Sequence, residues 1–284
     1  MLLTLDRLSV SQDETAKFLF KLQDDAAIES VLVPFKSRDA VCLSTQVGCA
    51  MGCTFCFTSK MGLKRHLTSE EIIAQYLEVK KWVLERNQHR LPPNIVFMGQ
   101  GEPLHNFDEL KKAINWLISP RGGKLGPRQV TVSTVGFVPG LERFSELGGV
   151  NLALSLHNPF ESERCEIIPL NRRWPLKEIF EALDRIPLRS QQFINFEYLM
   201  MKDFNMSPMH ADELAKQIRG RKAIVNLIPF NPYPGAPWQR PSDLEIEGFK
   251  KLLVAHRMRV FVRTTKGDEI MAACGQLNTQ KELQ

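Results

Sequence analysis

The chain has 284 residues, 43% of them apolar and 24% charged, the balance of a water-soluble globular protein with material for one large core. Its formal charge of +5 is compatible with a nucleic-acid partner without requiring one. The opening MLLTLDRLSVSQDET carries Asp6, Asp13 and Glu14, and no segment reaches membrane-spanning length free of charge. These features exclude a signal peptide, a membrane span and a membrane partner, and a cytoplasmic setting with reduced thiols is expected.

The first elements read as extended. Thr15–Leu22 and Ile28–Pro34 are short apolar runs separated by Gln23-Asp24-Asp25, which predicts a β-hairpin. Ala40–Thr45 reads as a buried strand leading into a cysteine-rich loop. Strands and helices then alternate. Ser69–Arg86 is helical, with a Thr68/Ser69 cap and Ile72, Ile73, Tyr76, Leu77, Val83 and Leu84 at helical spacing. Strands are expected at Asn94–Met98, Gln129–Thr134, Val150–Leu156, Phe193–Met200, Ala223–Ile228 and Met258–Thr264. Helices are expected at Asp108–Ile118, Pro139–Leu147, Pro175–Ile186, Pro208–Ile218 and Ser242–His256.

This rhythm predicts an α/β fold with a parallel sheet of about six strands after the cysteine loop. Six fall short of the eight of a closed barrel, so an open, partial (β/α)6 barrel with an N-terminal hairpin extension is expected. The corresponding divisions are 1–36 for the extension and hairpin, 37–277 for the barrel and 278–284 for a frayed polar tail.

The chemistry concentrates in the cysteines, which are Cys42, Cys49, Cys53, Cys56, Cys165 and Cys274. Four of them lie within fifteen positions, and in a reducing compartment such clustering points to metal or redox chemistry. Cys49, Cys53 and Cys56 share one short loop and can hold three irons of a cubane cluster, leaving the fourth iron open to a small chelating molecule. Structural zinc normally takes four ligands from two pairs, and no second pair is present. CxxxCxxC with an aromatic before the last Cys is the radical S-adenosylmethionine (SAM) signature. In that setting the turn Gly99-Gln100-Gly101-Glu102-Pro103, just after a strand, brings Gly101 backbone and the Glu102 carboxylate to the ammonium of SAM.

A more specific resemblance rests on CLSTQVGC, MGQGEPLHN, VTVSTVGFVP, LALSLHNP, IPLNRRWPL, NLIPFNPYPGAP and VRTTKGDEIMAACGQL, which occur in that order. Over about Lys17 to Leu277 the chain resembles the RlmN/Cfr family of radical-SAM RNA methyltransferases, which modify an adenine ring carbon. The resemblance implies a 4Fe–4S cluster on Cys49, Cys53 and Cys56 and two SAM molecules per turnover. It implies an S-methylcysteine at Cys274, a resolving Cys42 that pairs with it as a disulfide, and Glu29 as proton acceptor. Ser133, Ser155, Leu156, His157 and Asn231 match SAM-contacting positions. The implied partners are 23S rRNA or tRNA and a reductant such as flavodoxin or ferredoxin, with the chain a monomer and C2 preferred to C8.

Cys165 matches no motif and reads as a buried small hydrophobe. Without the resemblance, Glu29 would be a solvated face and His157 a structural histidine. The basic runs Lys60/Lys64/Arg65/His66, Arg172/Arg173, Arg219/Arg221/Lys222 and Arg257/Arg259/Arg263/Lys266 are ordinary solvated surface, and those near the cluster loop are the ones expected to meet RNA phosphates. Familiar members carry a helical accessory domain before the hairpin, so the chain reads as a short member without it. Gln100 replaces a common Met, and Met271 a common Asp. The rival expectation is a radical-SAM enzyme of the same scaffold with a divergent, non-RNA substrate.

Overall fold

The computed structural model describes residues 2–87, 89 and 91–279. It opens with three antiparallel strands, β1 (Leu3–Val10), β2 (Ala16–Leu22) and β3 (Ala27–Val33). Strands β2 and β3 form the expected hairpin. Strand β1 was not expected: its register shifts between Leu5 and Arg7 and most of its side chains are exposed, so no two-residue period marks it in the sequence.

Strand β3 pairs antiparallel with β4 (Ala40–Cys42), which leads towards the cysteine loop. A separate ribbon of β5 (Gln46–Gly48) and β6 (Leu63–His66) brackets that loop. Its strands are too short for periodicity to reveal them. The alternating part follows: α1 (Ser69–Arg86), β7 (Asn94–Phe97), α2 (Phe107–Ile118), β8 (Val130–Thr134), α3 (Val138–Glu142), β9 (Asn151–Ser155), α4 (Glu161–Ile167), α5 (Leu176–Asp184), β10 (Ile194–Met200), α6 (Pro208–Ile218), β11 (Ala223–Pro229), α7 (Asp243–Ala255) and β12 (Val260–Val262).

The large sheet runs β1-β2-β3-β4-β7-β8-β9-β10-β11-β12. Every pair from β4 to β12 is parallel, so the six strands expected after the loop are joined by β4 as a seventh. Helix α3 is shorter than the expected 139–147 and gives way to a 3-10 turn at Phe144–Leu147. Helix α4 is an addition. No helix among the described residues is long and apolar enough to cross a membrane.

Local chemistry explains the elements that frame the site. A reciprocal capping box between Thr68 and Glu71 starts α1, and Ile72, Tyr76, Val79 and Val83 form its buried face. Strand β8 separates its two faces cleanly. Val130 and Val132 are fully buried in the main core, whereas Thr131 and Ser133 point to the inner side of the sheet and line cavities. The inner face is thus kept small and polar, and the outer face carries the apolar packing.

Residues at the tail depart from the expected fraying. Asn278 and Thr279 are buried; Asn278 donates to Phe57 O (3.5 Å) and Thr279 lies against Met61 Sδ (3.9 Å). Residues 280–284 lie outside the described residues.

Candidate active site

The cysteine loop is anchored from β4 outward. Gln75 of α1, fully buried, accepts from Ser44 N (3.0 Å) and Ser30 Oγ (2.9 Å) and donates to Ser44 O (3.1 Å). Ser44 Oγ in turn donates to Glu29 O (2.6 Å) and accepts from Gln100 N (2.9 Å), joining the loop's root to the glycine turn. Gln100 is fully buried here. Its side chain accepts from Glu29 N (3.3 Å) and approaches Met61 Sδ (3.6 Å), which gives the replaced Met position a defined role. Gly48 has φ +77°, and a Cβ there would lie 1.8 Å from Gly62 O, so only glycine lets the two ends of the loop close.

Cys49, Cys53 and Cys56 border one cavity at the carboxyl ends of the parallel strands, with about 880 Å³ of free space including its mouth. Burial pushes the Cys49 thiol up to about 12 and raises Cys53 and Cys56 as well. Unaided, these thiols stay protonated near neutrality, and a cation that takes thiolates offsets that cost. Among the described residues no three His, Cys, Asp or Glu side chains converge as a single metal ion requires. The three thiols instead surround open space, as ligands of a multi-iron cluster do. The donor set fits such a cluster.

Opposite them, Glu102 accepts from Val135 N (3.0 Å) and Leu104 N (3.1 Å), one bond to each oxygen. Burial raises its carboxyl to about 7, against the pull of those bonds, so an arriving ammonium group would stabilise the ionised form. Gly101, Ser133, Ser155 and His157 also line this cavity. His157 Nδ1 accepts from Leu199 N (3.0 Å), and burial first, then Arg164, lowers its pKa to about 3. The ring is therefore neutral, with its proton on Nε2. Leu156 sits behind the wall: it is fully buried, outside the lining, and its carbonyl is taken by Arg164 Nε (2.9 Å).

Arg164, on α4, has no counterpart in the sequence reading. It is fully buried and donates to Val135 O (2.7 Å), Ser155 O (3.0 Å), Leu156 O and Asn171 Oδ1. Burial lowers its pKa to about 10, which keeps it charged, and Cys53 is the largest opposing influence. One cation thus fixes the ends of β8 and β9 and stands close to the cluster thiols. The polar run ESERCE gives no sign of this.

The segment that carries Cys274 closes the other side. Phe57 N donates to Gly275 O (2.7 Å) and Thr58 Oγ1 to Leu277 O (2.7 Å), while Gln276 Nε2 reaches Asp268 Oδ1 (2.6 Å) and Pro232 O (2.8 Å). Asn231 does not line the thiol cavity; its Nδ2 donates to Cys274 O (3.2 Å) and so sets that loop. Met271 takes a left-handed φ of +53° and packs beside the cluster loop, and the carboxylate tied into this turn is Asp268.

Cys274 borders three cavities, two of which are also lined by other cysteines, while the third lies beside Asn231, Thr265 and Lys266. The second, with about 1030 Å³ of free space, is also lined by Cys42, Val31, Val33, Phe35, Arg128 and Gln129. Burial, with a smaller contribution from Cys274, pushes the Cys42 thiol up to about 12. Arg263 borders both cavities and has Cys274 as its strongest charge partner; Glu197 Oε2 lies 3.7 Å from Nη1. Neither residue was singled out for this site by sequence. Glu29 is fully buried rather than a solvated face, forms a 3.2 Å ion pair with Lys17, and lines neither cavity. Cys165 is partly exposed, with its sulfur accepting from Asn171 Nδ2 (3.3 Å).

Residues 43–215 match the profile of the radical SAM superfamily, and the chain is an enzyme of that class, whose members use a 4Fe–4S cluster and SAM. It is 42% identical over 278 residues to the dual-specificity RNA methyltransferase RlmN of Syntrophobacter fumaroxidans, across 96% of this chain and 80% of that one. A probable RlmN of Aquifex aeolicus is 42% identical over 282 residues, across 98% and 79%. A radical SAM methyltransferase from Sphaerobacter thermophilus superposes with a TM-score of 0.93 at 41% identity, across 98% and 82%. The chain belongs to the RlmN family of radical SAM methyltransferases. Spore photoproduct lyase, 13% identical with a TM-score of 0.54 over 78% of this chain and 76% of its own, shares the fold alone.

Proposed function

We propose that the chain methylates a ring carbon of an adenosine in RNA, C2 in preference to C8, in 23S rRNA, tRNA or both, through a methyl group carried on Cys274. The observation that most supports this is the pair of thiols the cluster does not need: Cys274 at the border of both cavities and Cys42 in the second. The RlmN relatives are named as RNA methyltransferases, which supports RNA as the substrate. A one-electron donor such as flavodoxin or ferredoxin, a monomeric chain and a cytoplasmic setting belong to this reading.

Adenine C2 is too electron-poor to attack a sulfonium, so the methyl group has to be activated on a carrier. When bound, the cluster on Cys49, Cys53 and Cys56 and two SAM molecules per turnover supply a methyl group and a hydrogen-abstracting radical. Glu102 receives the ammonium end of the cofactor with both oxygens already oriented. Gly101, Ser133, Ser155 and neutral His157 shape the remaining wall, and Met51, Phe55, Leu199 and Phe230 exclude water. Asn231 and Phe57 hold the Cys274 turn, so the carried methyl stays at the boundary between the two cavities. Once the base is linked to that carbon, Cys42 loses its proton and its Sγ attacks Cys274 Sγ: a disulfide forms, the bond from Cys274 to the carbon breaks with its electron pair left on the carbon, and that carbon takes up a proton to become the methyl group. Glu29, ion-paired with Lys17 at 3.2 Å, is the proposed acceptor of the proton that the ring carbon gives up.

Cys42→Ala is expected to leave the methylated base linked to Cys274, giving a covalent protein–RNA adduct on a denaturing gel. Cys274→Ala is expected to give none. Absence of an adduct with cluster-loaded Cys42→Ala protein that still cleaves SAM would overturn the reading.

A further inference from the structure

The charge of this protein is segregated by the sheet. Loops immediately preceding a parallel strand all lie at its amino-terminal end, opposite the cysteine loop. Loops 34–39, 119–129, 185–193, 219–222 and 256–259 carry two, three, two, three and two Lys or Arg against one carboxylate, Asp39, which is buried; at the same end the loop before β9 adds Arg143 and Glu146, and the β1–β2 turn adds Asp13 and Glu14. The whole chain has 37 cationic and 32 acidic side chains, so an even distribution would not produce such an end. A groove there is lined by Phe193, Arg219, Lys222, Arg257 and Arg259, and Arg219, Lys222, Arg257 and Arg259 are exposed. Arg219 and Arg257 make no ion pair among the described residues.

At the carboxyl end the loops are stitched together instead. Besides the bonds from Phe57 and Thr58 to the Cys274 segment, Tyr233 Oη donates to Thr54 O (3.0 Å) and Trp238 Nε1 to Thr54 Oγ1 (3.3 Å). Arg65, near the cluster loop, is already engaged by Asp24 and Glu71. The second cavity offers the opposite route, because its walls run from exposed Phe35 and Arg128 at the basic end inward to Cys42 and Cys274.

We infer that RNA docks its phosphates on the basic loops at the amino-terminal end of the parallel strands, and that the target nucleotide is extruded through the second cavity to the cysteine pair. This rests on the RNA reading given above. Six inter-strand steps of about 4.8 Å span about 30 Å along the sheet, enough for a stem–loop to touch several of these loops while one base leaves the stack. Phe35 at the mouth offers a ring on which that base can stack.

The test uses the cluster-loaded full chain and a fluorescein-labelled RNA hairpin with an unpaired loop adenosine, read by anisotropy at several salt concentrations. R219E/R257E/R259E is expected to weaken binding about 10–100-fold and to lower the log Kd–log salt slope by about 2–3. K60E/R172E/R173E, at the cluster end, is expected to change it less than about threefold. Circular dichroism and cluster absorbance report folding. In the wild type, bound RNA is expected to shield Lys36, Lys124 and Lys222 from acetylation while Lys60 and Lys202 stay reactive, a readout that needs no variant. Wild-type binding that survives the first triple change but not the second, or the reverse shielding pattern, overturns the docking inference alone. Absence of RNA binding by the wild type overturns the substrate reading as well.

Discussion

The two ends of the barrel solve opposite problems with the same residue type. At the carboxyl end a single arginine, Arg164, is fully buried and spends its hydrogen bonds on backbone carbonyls and Asn171, so its charge is structural. At the amino end most of the arginines stand in solvent, and several are held only by an exposed carboxylate or a ring face, such as Arg185 with Glu142 and Arg259 over Phe193. An ordered cation organises a cavity. A solvated one attracts what comes to it.

This contrast breaks most visibly if the buried arginine is removed. Arg164→Met strands the carbonyls of Val135, Ser155 and Leu156, and a loss of about 3–5 kcal/mol in urea unfolding is expected, together with weaker cluster loading. Unchanged stability would mean that water replaces the guanidinium at no cost. His157 gives a pH-dependent test of the same end. The unfolded ring takes up a proton near 6.5, whereas the folded ring stays neutral down to about 3. Its contribution is therefore complete above pH 6.5 and falls by about 1.4 kcal/mol per pH unit below that, until the folded ring titrates. Urea midpoints of wild type and His157→Gln between pH 7 and 4 should diverge accordingly; parallel curves would refute the buried neutral ring.

Smaller effects separate positioning from docking. Asn231→Ala removes the bond to Cys274 O, so about 1 kcal/mol of stability and a measurable fraction of Cys274 methylation, read by peptide mass spectrometry, are expected to be lost. Arg257→Ala, at the basic end, is expected to change stability by less than about 0.5 kcal/mol. A larger change in thermal unfolding would show that this end is structural too.

The cluster loop was legible in the sequence because its chemistry depends on spacing along a few residues, and the helices because their apolar periods are long. What stayed hidden depends on distant partners. Arg164 sits in a polar stretch that reads as surface until the ends of β8 and β9 close over it. Asn231 matched a cofactor-contacting position, but its side chain turns to Cys274 O, and Leu156 lies one layer behind the cavity its neighbours line. The basic runs were visible as runs. Only the strand directions show that Arg219, Arg221, Lys222, Arg257 and Arg259 share the end away from the cysteines.

The stitch between Thr58 and Leu277 joins residues 219 positions apart. During synthesis the cysteine loop therefore leaves the ribosome long before the segment that covers it. Until residues 274–279 emerge, the loop's three thiols lack that cover, and the chamber beside Cys42 lacks the wall that Cys274 provides. Completion of the catalytic centre thus waits for residues 274–279, so a nascent chain cannot begin turnover before they emerge, even with most of its barrel already folded.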